Sequence, residues 1–187
     1  MSFRYEVRLS GEGGQGLVLA GKILAEAAAI HDGLNATQSQ SYGPEARGGA
    51  SRSEVILSDE DIDFPKATEL DLVLALTQES CDQYSGDLKP GGLLLVDADA
   101  VANVPAGSGR VWRVPVIRSA REKLGRAVVA NIVALGVMAR AAGVVSEESL
   151  RKAIRARVPR GTEELNLRAF DLGLAMAEEM RAAGAAR

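Results

Sequence analysis

A glycine-rich segment near the start of the chain, Gly11 to Gly16, separates two stretches of different periodicity. Residues 3–10 alternate apolar with polar side chains, which is the period-two pattern of a β-strand. From Gly16 onward, apolar residues recur at three- and four-residue steps to about Asp32, and Gly33 then ends the predicted helix. A strand, a glycine turn and a helix in this order are typical of α/β folds.

The rest of the chain continues this alternation and then becomes helical. A second strand is predicted at residues 34–38, followed by a polar loop over residues 39–49. Short apolar runs bounded by turn residues predict buried parallel strands at residues 54–58, 70–76, 93–96 and 111–114. Helical periodicity predicts three final helices at residues 127–142, 146–158 and 162–183.

We therefore predict one α/β domain over residues 1–187, with no linker and no internal repeat. Its expected architecture is an open, mostly parallel, doubly wound (Rossmann-like) sheet with helices on both faces and a helical C-terminal third. The composition is compatible with close packing of helices on a sheet, because 47% of the residues are hydrophobic but only 4% are aromatic.

Charge and composition exclude several classes of function. The net charge is −3 with both signs mixed along the chain, so there is no basic field for nucleic acid, and we expect no nucleic-acid partner. No apolar run has the length of a signal peptide or a membrane span. We therefore expect a soluble, cytoplasmic protein without a membrane partner.

The single cysteine, Cys81, limits the redox chemistry of this chain. One thiol forms no internal disulfide and ligates no four-thiolate iron-sulfur or zinc site. It lies near the start of a predicted helix, where a dipole lowers a thiol pKa, but no suitably placed histidine accompanies it. We predict no catalytic residue and no metal ligand, and any redox centre must lie on another polypeptide.

The first glycine segment has the spacing of a phosphate-binding turn. Gly11, Gly13 and Gly16 fit G-x-G-x-x-G between a predicted strand and helix, where phosphates approach unpaired amides. A nicotinamide site would also need an acid at the end of the second strand, but Gln38 and its neighbours are uncharged. Asp32 precedes that strand and would lie at its wrong end. A dinucleotide site and a pure packing role for the glycines both remain open.

The second segment is Ser41-Tyr42-Gly43-Pro44-Glu45-Ala46-Arg47-Gly48-Gly49. Arg47 offers a bidentate fork to a carboxylate or phosphate, Tyr42 offers a stacking face, and Glu45 is placed to hold the arginine. Alternatively, the Glu45–Arg47 pair only ties the loop to the domain. The predicted cofactor-binding residues are Gly11, Gly13, Gly14, Gln15, Gly16, Ser41, Tyr42, Gly43, Glu45, Arg47, Gly48 and Gly49.

Together the two segments resemble the gamma subunit, or gamma domain, of 2-oxoacid:ferredoxin oxidoreductases, which act on pyruvate, 2-oxoglutarate or branched 2-oxoacids. Gly13-Gly14-Gln15-Gly16 followed by Ala20-Gly21 resembles the opening of that family, and residues 41–49 resemble its most distinctive signature. Residues 55–59, 62–65, 71–76, 88–92, 131–136 and 165–173 are also similar to it, so the resemblance covers most of the chain. The sequence of these motifs is most similar to that of the 2-oxoglutarate type. The chain departs from the family pattern at Thr77-Gln78.

The resemblance implies a subunit of a multi-chain enzyme that decarboxylates a 2-oxoacid oxidatively, forms the acyl-coenzyme A and reduces ferredoxin. Thiamine diphosphate, magnesium and iron-sulfur clusters would belong to partner alpha, beta and, where present, ferredoxin-like delta subunits. This chain would bind no cofactor firmly alone. Its glycine-rich loops would form the interface with those subunits or help bind coenzyme A, with Arg47 as the cation.

Two other classes of function stay open on the sequence. The first is a self-sufficient dinucleotide-binding oxidoreductase, which requires the first glycine loop to hold NAD or a flavin. The second is a scaffold domain whose loops only hold a complex together and contact no small molecule.

Overall fold

The computed structural model describes residues 2–42 and 50–184. Its six strands and six α-helices follow the chain in the order β1 (Arg4–Glu12), α1 (Leu17–Glu26), β2 (Asn35–Tyr42), β3 (Ala50–Ser58), β4 (Leu70–Ala75), α2 (Gln78–Tyr84), β5 (Leu88–Asp97), β6 (Arg110–Val114), α3 (Val116–Leu124), α4 (Ala130–Ala142), α5 (Glu147–Arg157) and α6 (Glu163–Ala182). A π-helical turn, Ala27–His31, extends α1, and 3-10 turns occupy Ser85–Asp87 and Ala127–Val129.

The strands form one sheet in the order β2-β3-β1-β4-β5-β6. β1, β4, β5 and β6 are parallel neighbours, whereas β3 is antiparallel to both β1 and β2. The predicted α/β class and mostly parallel open sheet are confirmed. The prediction that residues 54–58 form a parallel strand is wrong, because β3 runs antiparallel to both of its neighbours, β1 and β2.

The second strand is longer than predicted. β2 continues to Tyr42 and pairs with β3 without a break in register, from Asn35 opposite Ser58 to Tyr42 opposite Ser51. Ser41 and Tyr42 therefore belong to a strand and not to the predicted loop. Their polar character, which suggested a loop, is that of a strand at the edge of the sheet.

The two faces of the sheet are covered unequally. The face bearing Val7, Leu9 and Leu72 packs against α1 and α3 to α6, and this layer includes the buried Trp112 and Phe170. The opposite face packs against the short α2. Helices thus lie on both faces, as predicted, but five of the six share one side.

The helical C-terminal part is held by a close crossing of α4 and α6. A Cβ atom on Gly136 would lie 2.3 Å from the backbone oxygen of Phe170, and one on Gly173 would lie 2.0 Å from that of Val133. Only glycine allows the two backbones to approach this closely. Within residues 2–42 and 50–184, no helix combines the length and apolar character that a membrane span needs.

Candidate functional site

The sheet brings the first glycine-rich segment and the first two residues of the second, Ser41 and Tyr42, to one edge. In the register, Gly11 of β1 and Tyr42 of β2 both lie opposite Ser51 of β3. Two strand spacings separate them, which is about 10 Å. The chain also changes direction across the sheet here, since the segment after β1 leads to β2 and β3 on one side while β4 lies on the other. Open α/β sheets bind ligands at such switch points.

Only part of the predicted site falls within the described residues. Gly11 lies in β1, Gly13, Gly14, Gln15 and Gly16 lie between β1 and α1, and Ser41 and Tyr42 end β2. Gly43, Glu45, Arg47, Gly48 and Gly49 lie outside the described residues, and their roles stay predictions.

The first glycine loop is closed by its own glutamine. The backbone N–H of Glu12 donates to Oε1 of Gln15 at 2.7 Å, and the N–H of Gln15 donates to the carbonyl of Glu12 at 3.3 Å. A Cβ on Gly11 would lie 2.1 Å from the same Oε1. The Gln15 side chain therefore shapes the turn from within, and the loop offers a ligand its backbone more than this side chain.

The amino end of α1 lies at this edge, and no acidic side chain in its first turn neutralises its partial positive charge. Gly16 precedes the helix with φ of 75°, offers no side-chain cap, and no acidic residue occupies the first turn. Its carbonyl accepts Nδ2 of Asn131 at 3.0 Å and the N–H of Ala20 at 3.1 Å. A Cβ here would lie 2.4 Å from Nδ2 of Asn131, so glycine is required by both conformation and space.

The amino end of α4 meets that of α1 through the same asparagine. Asn131 is buried, and its Oδ1 accepts the N–H of Ile132 at 2.9 Å. Val129, the residue before α4, supplies no side-chain cap, and the first turn of α4 contains no acid. Since each helix carries partial positive charge at its amino end, this junction favours an anion.

A cleft of about 250 Å³ lies beside the junction. It is lined by Gly14, Gln15, Leu76, Ile117, Ala127, Val128 and Ala130. Most of these side chains are apolar, and Val128 at the rim is 68% exposed. The arrangement combines apolar walls with two positive helix ends, which fits a ligand having an apolar arm and an anionic group.

Side chains neutralise or cap the positive amino ends of α2 and α3, the other helices that begin at this edge. The N–H of Ile117 in α3 donates to Oδ2 of the buried Asp97 at 3.0 Å. Thr77 caps α2 by accepting the N–H of Ser80 at 3.2 Å, and the side chain of Gln78 bonds the backbone of Asn103. Thr77-Gln78, where the chain departs from the family pattern, thus has a structural role.

A charged cluster on the α2 side of the sheet is satisfied internally. Arg8 contacts Glu54 at 2.8 Å, pairs with Asp87 and lies over the Tyr84 ring, 4.8 Å from its centroid. Arg8, Glu54 and Tyr84 are largely buried, and these contacts hold α2 on β1 and β3.

Cys81 and Asp32 each have structural partners in the fold. Cys81 is fully buried, and burial with the neighbouring Asp82 raises the pKa of its thiol. Asp32 lies beyond the far end of α1 and accepts hydrogen bonds from Ser146 and Ser149, so it does not serve the glycine loop. Nowhere in residues 2–42 and 50–184 do three His, Cys, Asp or Glu side chains cluster as metal ligands.

Local sequence patterns did not reveal the cleft walls or the role of Asn131 as a link between helices. The walls come from the end of β4, the start of α3, a 3-10 turn and α4, which no local motif connects. A signal was nevertheless present. Acids open α5 and α6 (Glu147, Glu148, Glu163 and Glu164), but none opens the helix near residue 130.

Comparison with known proteins gives the same answer as the two glycine segments. A profile of the family described as pyruvate ferredoxin/flavodoxin oxidoreductase matches residues 6–176. The 2-oxoglutarate synthase subunit KorC of Methanocaldococcus jannaschii is 50% identical over 182 residues, which cover 96% of this chain and 97% of the relative.

Solved structures show the same fold. The gamma subunit of a keto/oxoacid ferredoxin oxidoreductase from Geobacter sulfurreducens PCA superposes with a TM-score of 0.85 at 55% identity, covering 94% of this chain and 99% of that one. The 2-oxoglutarate:ferredoxin oxidoreductase of Magnetococcus marinus, solved with 2-oxoglutarate, coenzyme A and succinyl-CoA, superposes with a TM-score of 0.83 at 25% identity. This chain covers 31% of that longer polypeptide, and 94% of its own length is matched.

These matches extend over almost the whole chain and agree with one another in sequence and in fold. The chain therefore belongs to the pyruvate ferredoxin/flavodoxin oxidoreductase family, in which it is homologous to the gamma subunits of 2-oxoacid:ferredoxin oxidoreductases.

Proposed function

We propose that this chain is the gamma subunit of a cytoplasmic 2-oxoglutarate:ferredoxin oxidoreductase. The complex would convert 2-oxoglutarate and coenzyme A to succinyl-CoA and carbon dioxide, with two electrons passing singly to ferredoxin. The observation that carries the proposal is 50% identity along the full length of a 2-oxoglutarate synthase subunit. Alpha and beta subunits, and a ferredoxin-like delta subunit where present, would hold thiamine diphosphate, magnesium and the iron-sulfur clusters.

Within that complex we assign this chain two roles, assembly and contact with coenzyme A. The amino ends of α1 and α4 suit the phosphates of coenzyme A, because neither helix carries an acid in its first turn. The apolar walls of the cleft suit its pantetheine arm. Arg47, five positions after Tyr42 in the sequence, is the cation we assign to the phosphates.

A self-sufficient nicotinamide or flavin enzyme is disfavoured by the strand order. The ordinary dinucleotide fold places a ribose-binding acid at the end of the strand beside β1. Here β3 lies between β1 and β2, and β2 ends in Gln40, Ser41 and Tyr42, which are uncharged. A pure scaffold role differs only in lacking ligand contact, and the second experiment below separates it.

The first test is anaerobic affinity purification of the chain from its native cell. We expect cysteine-rich and thiamine-binding partners in the eluate, together with 2-oxoglutarate-dependent viologen reduction that requires coenzyme A. Preference for another 2-oxoacid would correct the substrate and keep the family role. Recovery of the chain alone, inactive with every 2-oxoacid, would contradict the proposal.

The second test measures assembly and coenzyme A use separately in the Arg47→Ala variant, with Arg47→Lys as the charge-retaining control. If Arg47 contacts a phosphate, we expect the KM for coenzyme A to rise about tenfold, equal to about 1.4 kcal/mol, with the complex intact. Arg47→Lys should recover most of that loss. Loss of assembly in Arg47→Ala would instead assign the residue to the subunit interface.

A further inference from the structure

The outer edge of β2 lacks the features that normally keep sheet edges from pairing. Its eight residues, Asn35–Tyr42, include no charged residue and no proline, and they pair with β3 without a bulge. The opposite edge of the sheet, β6, has only five residues and carries Arg110 and Arg113. Short length, charge, proline and bulges are the usual protections of an edge strand.

This edge therefore offers free backbone groups to another strand. β2 pairs only with β3 among the described strands, so its outward-facing edge is open to a further ladder. The carbonyl of Ser39 also accepts a hydrogen bond from Nε2 of Gln38 at 3.1 Å, a flexible side chain that a pairing strand would displace. An extended segment that adds to such an edge gains main-chain hydrogen bonds along its whole length.

We propose that β2 pairs in antiparallel fashion with β2 of a second copy of this chain, so that two sheets continue as one. A two-fold axis perpendicular to the sheet relates the copies. This contact does not depend on the assignment of substrate or coenzyme A made above.

The symmetry and the side-chain faces restrict the register. Directly opposed residues of two antiparallel strands point to the same face of the sheet, and the two-fold axis keeps each residue on the same face in both copies. The axis must therefore pass beside a residue that lies opposite the same residue of the other copy. Centring on Ser39 opposes Gln38 to Gln40, Thr37 to Ser41 and Ala36 to Tyr42. Centring on Gln38 would leave Tyr42 unpaired, so we choose Ser39.

Exposed apolar side chains support this register. Tyr42 is 62% exposed and lies on the helical face of the sheet, in the row of Gly11 and Ser51. Its partner position in the other copy, Ala36, packs against the main core on that face. Ile30, 71% exposed, belongs to the π-helical turn that packs on β2. The pairing brings the Tyr42 ring of one copy to the Ala36 end of the other, beside this turn, and does so twice.

The polar side chains of β2 favour a copy of the same strand. A C2 contact opposes every residue to one of the same strand, so a charged strand would often meet like charges. β2 instead opposes amide to amide at Gln38 and Gln40, and hydroxyl to hydroxyl at Thr37 and Ser41. Such uncharged pairs hydrogen-bond across strands without repulsion.

The direct test is a Ser39→Cys variant of the full chain, studied alone and within its native complex. Opposed Cβ atoms of antiparallel strands lie about 4.5–5.5 Å apart, close to disulfide geometry. Ser39 is exposed and the natural Cys81 is buried, so mild oxidation should yield a disulfide-linked dimer through position 39. Ala106→Cys, at an exposed site before β6, is the matched control and should stay unlinked.

A Gln40→Lys variant tests the same contact without cross-linking. Gln40 is exposed and faces uncharged Ser53 on β3, so the lysine leaves the fold intact, which circular dichroism checks. The lysine places a charge at an edge that must lie against its copy. We therefore expect the Kd of the dimer, measured by light scattering, to rise at least about tenfold. The control Ala106→Lys should leave that Kd unchanged. A monomeric wild-type chain, equal linking of the two cysteine variants, or a link from position 39 to a different subunit would each overturn the proposal.

Discussion

The two ends of helix α1 are built in opposite ways. At the carboxyl end, the π-helical turn leads to Asp32, whose carboxylate accepts the N–H of Ser146 at 2.7 Å, its hydroxyl at 2.8 Å and the hydroxyl of Ser149 at 2.5 Å. At the amino end, Gly16 supplies no side-chain cap and no acid follows it. One end is closed by the protein itself, and the other opens on the cleft.

The difference shows where the fold leaves positive helix ends for something outside the chain. The amino end of α5, which meets Asp32, also has Ser146 as its cap and Glu147 and Glu148 in its first turn. Each acid near such an end contributes about 0.3–1 kcal/mol. α1 and α4 lack such acids where the cleft adjoins them, which is the physical basis for assigning an anionic ligand to that place.

The largest effect is expected from Gly16→Ala, which changes the residue at the open amino end of α1. The alanine would adopt a left-handed conformation, costing about 1–2 kcal/mol, and its Cβ would displace the buried Asn131 amide. With the lost hydrogen bond we expect about 3 kcal/mol less stability against urea. Gly14→Ala is the control, because it has φ of 92° but no atom within 4 Å, and it should cost only about 1 kcal/mol. Equal losses would show that the Gly16–Asn131 contact does not matter.

Ser146→Ala removes a hydroxyl from the closed carboxyl end of α1 and should have the next largest effect. It removes a helix cap that accepts the N–H of Ser149 at 3.2 Å and a donor to Asp32 at 2.8 Å. We expect a loss of about 1.5 kcal/mol in urea unfolding, with the KM for coenzyme A unchanged. Ser146→Thr keeps the hydroxyl and should lose less than half as much. A changed KM with full stability would contradict the division between the two ends.

The closed end was partly readable from the sequence, whereas the open end was less so. Ser146 with Glu147 and Glu148 is a local signature of a helix start, and the predicted helix at residues 146–158 agrees with α5 within one residue at each end. Gly16 was likewise predicted from local spacing. The bond from Asn131 to Gly16 spans 115 positions, and no local pattern contains it.

Strand direction was the other property that local sequence did not contain. The apolar run at residues 54–58 predicts a strand, but its periodicity is the same for parallel and antiparallel neighbours. β3 runs antiparallel to β2, the strand before it in the sequence, and to β1 beside it in the sheet. α3 was not predicted, since it is short and begins two residues after β6 ends, at Val116.

Asp32→Asn should make the closed end insensitive to pH. Burial raises the pKa of Asp32, but the hydrogen bonds from Ser149 and Ser146 outweigh it and lower the pKa below its usual range. Because the folded pKa is lowered, the carboxylate stabilises the fold above its unfolded pKa of about 4, and this is lost as pH falls through the folded value. Urea unfolding should show wild type more stable than the variant by about 1 kcal/mol at neutral pH, with the gap closing in acid. A gap that widens in acid would contradict the assignment.

The smallest change in stability is expected from Val128→Asp, which adds a negative charge beside the open amino end of α4. Val128 is 68% exposed at the rim of the cleft and lies two residues before the first residue of α4, Ala130. An aspartate there supplies the acid that α4 lacks, so the free energy of unfolding should rise by about 0.3 kcal/mol. The same charge would repel a phosphate from the cleft, and we expect the KM for coenzyme A in the assembled complex to rise about threefold.

Val128→Asn is the matched control for that experiment, because it has the same shape without the charge. It should leave both the stability and the KM close to those of wild type. A gain in stability without a rise in KM would mean that the two open helix ends attract no ligand phosphate, and the cleft would then belong to subunit assembly alone. Opposite movements of stability and affinity would show that the fold leaves these helix ends unneutralised for a ligand, because the charge that stabilises the free chain would be the one that weakens binding.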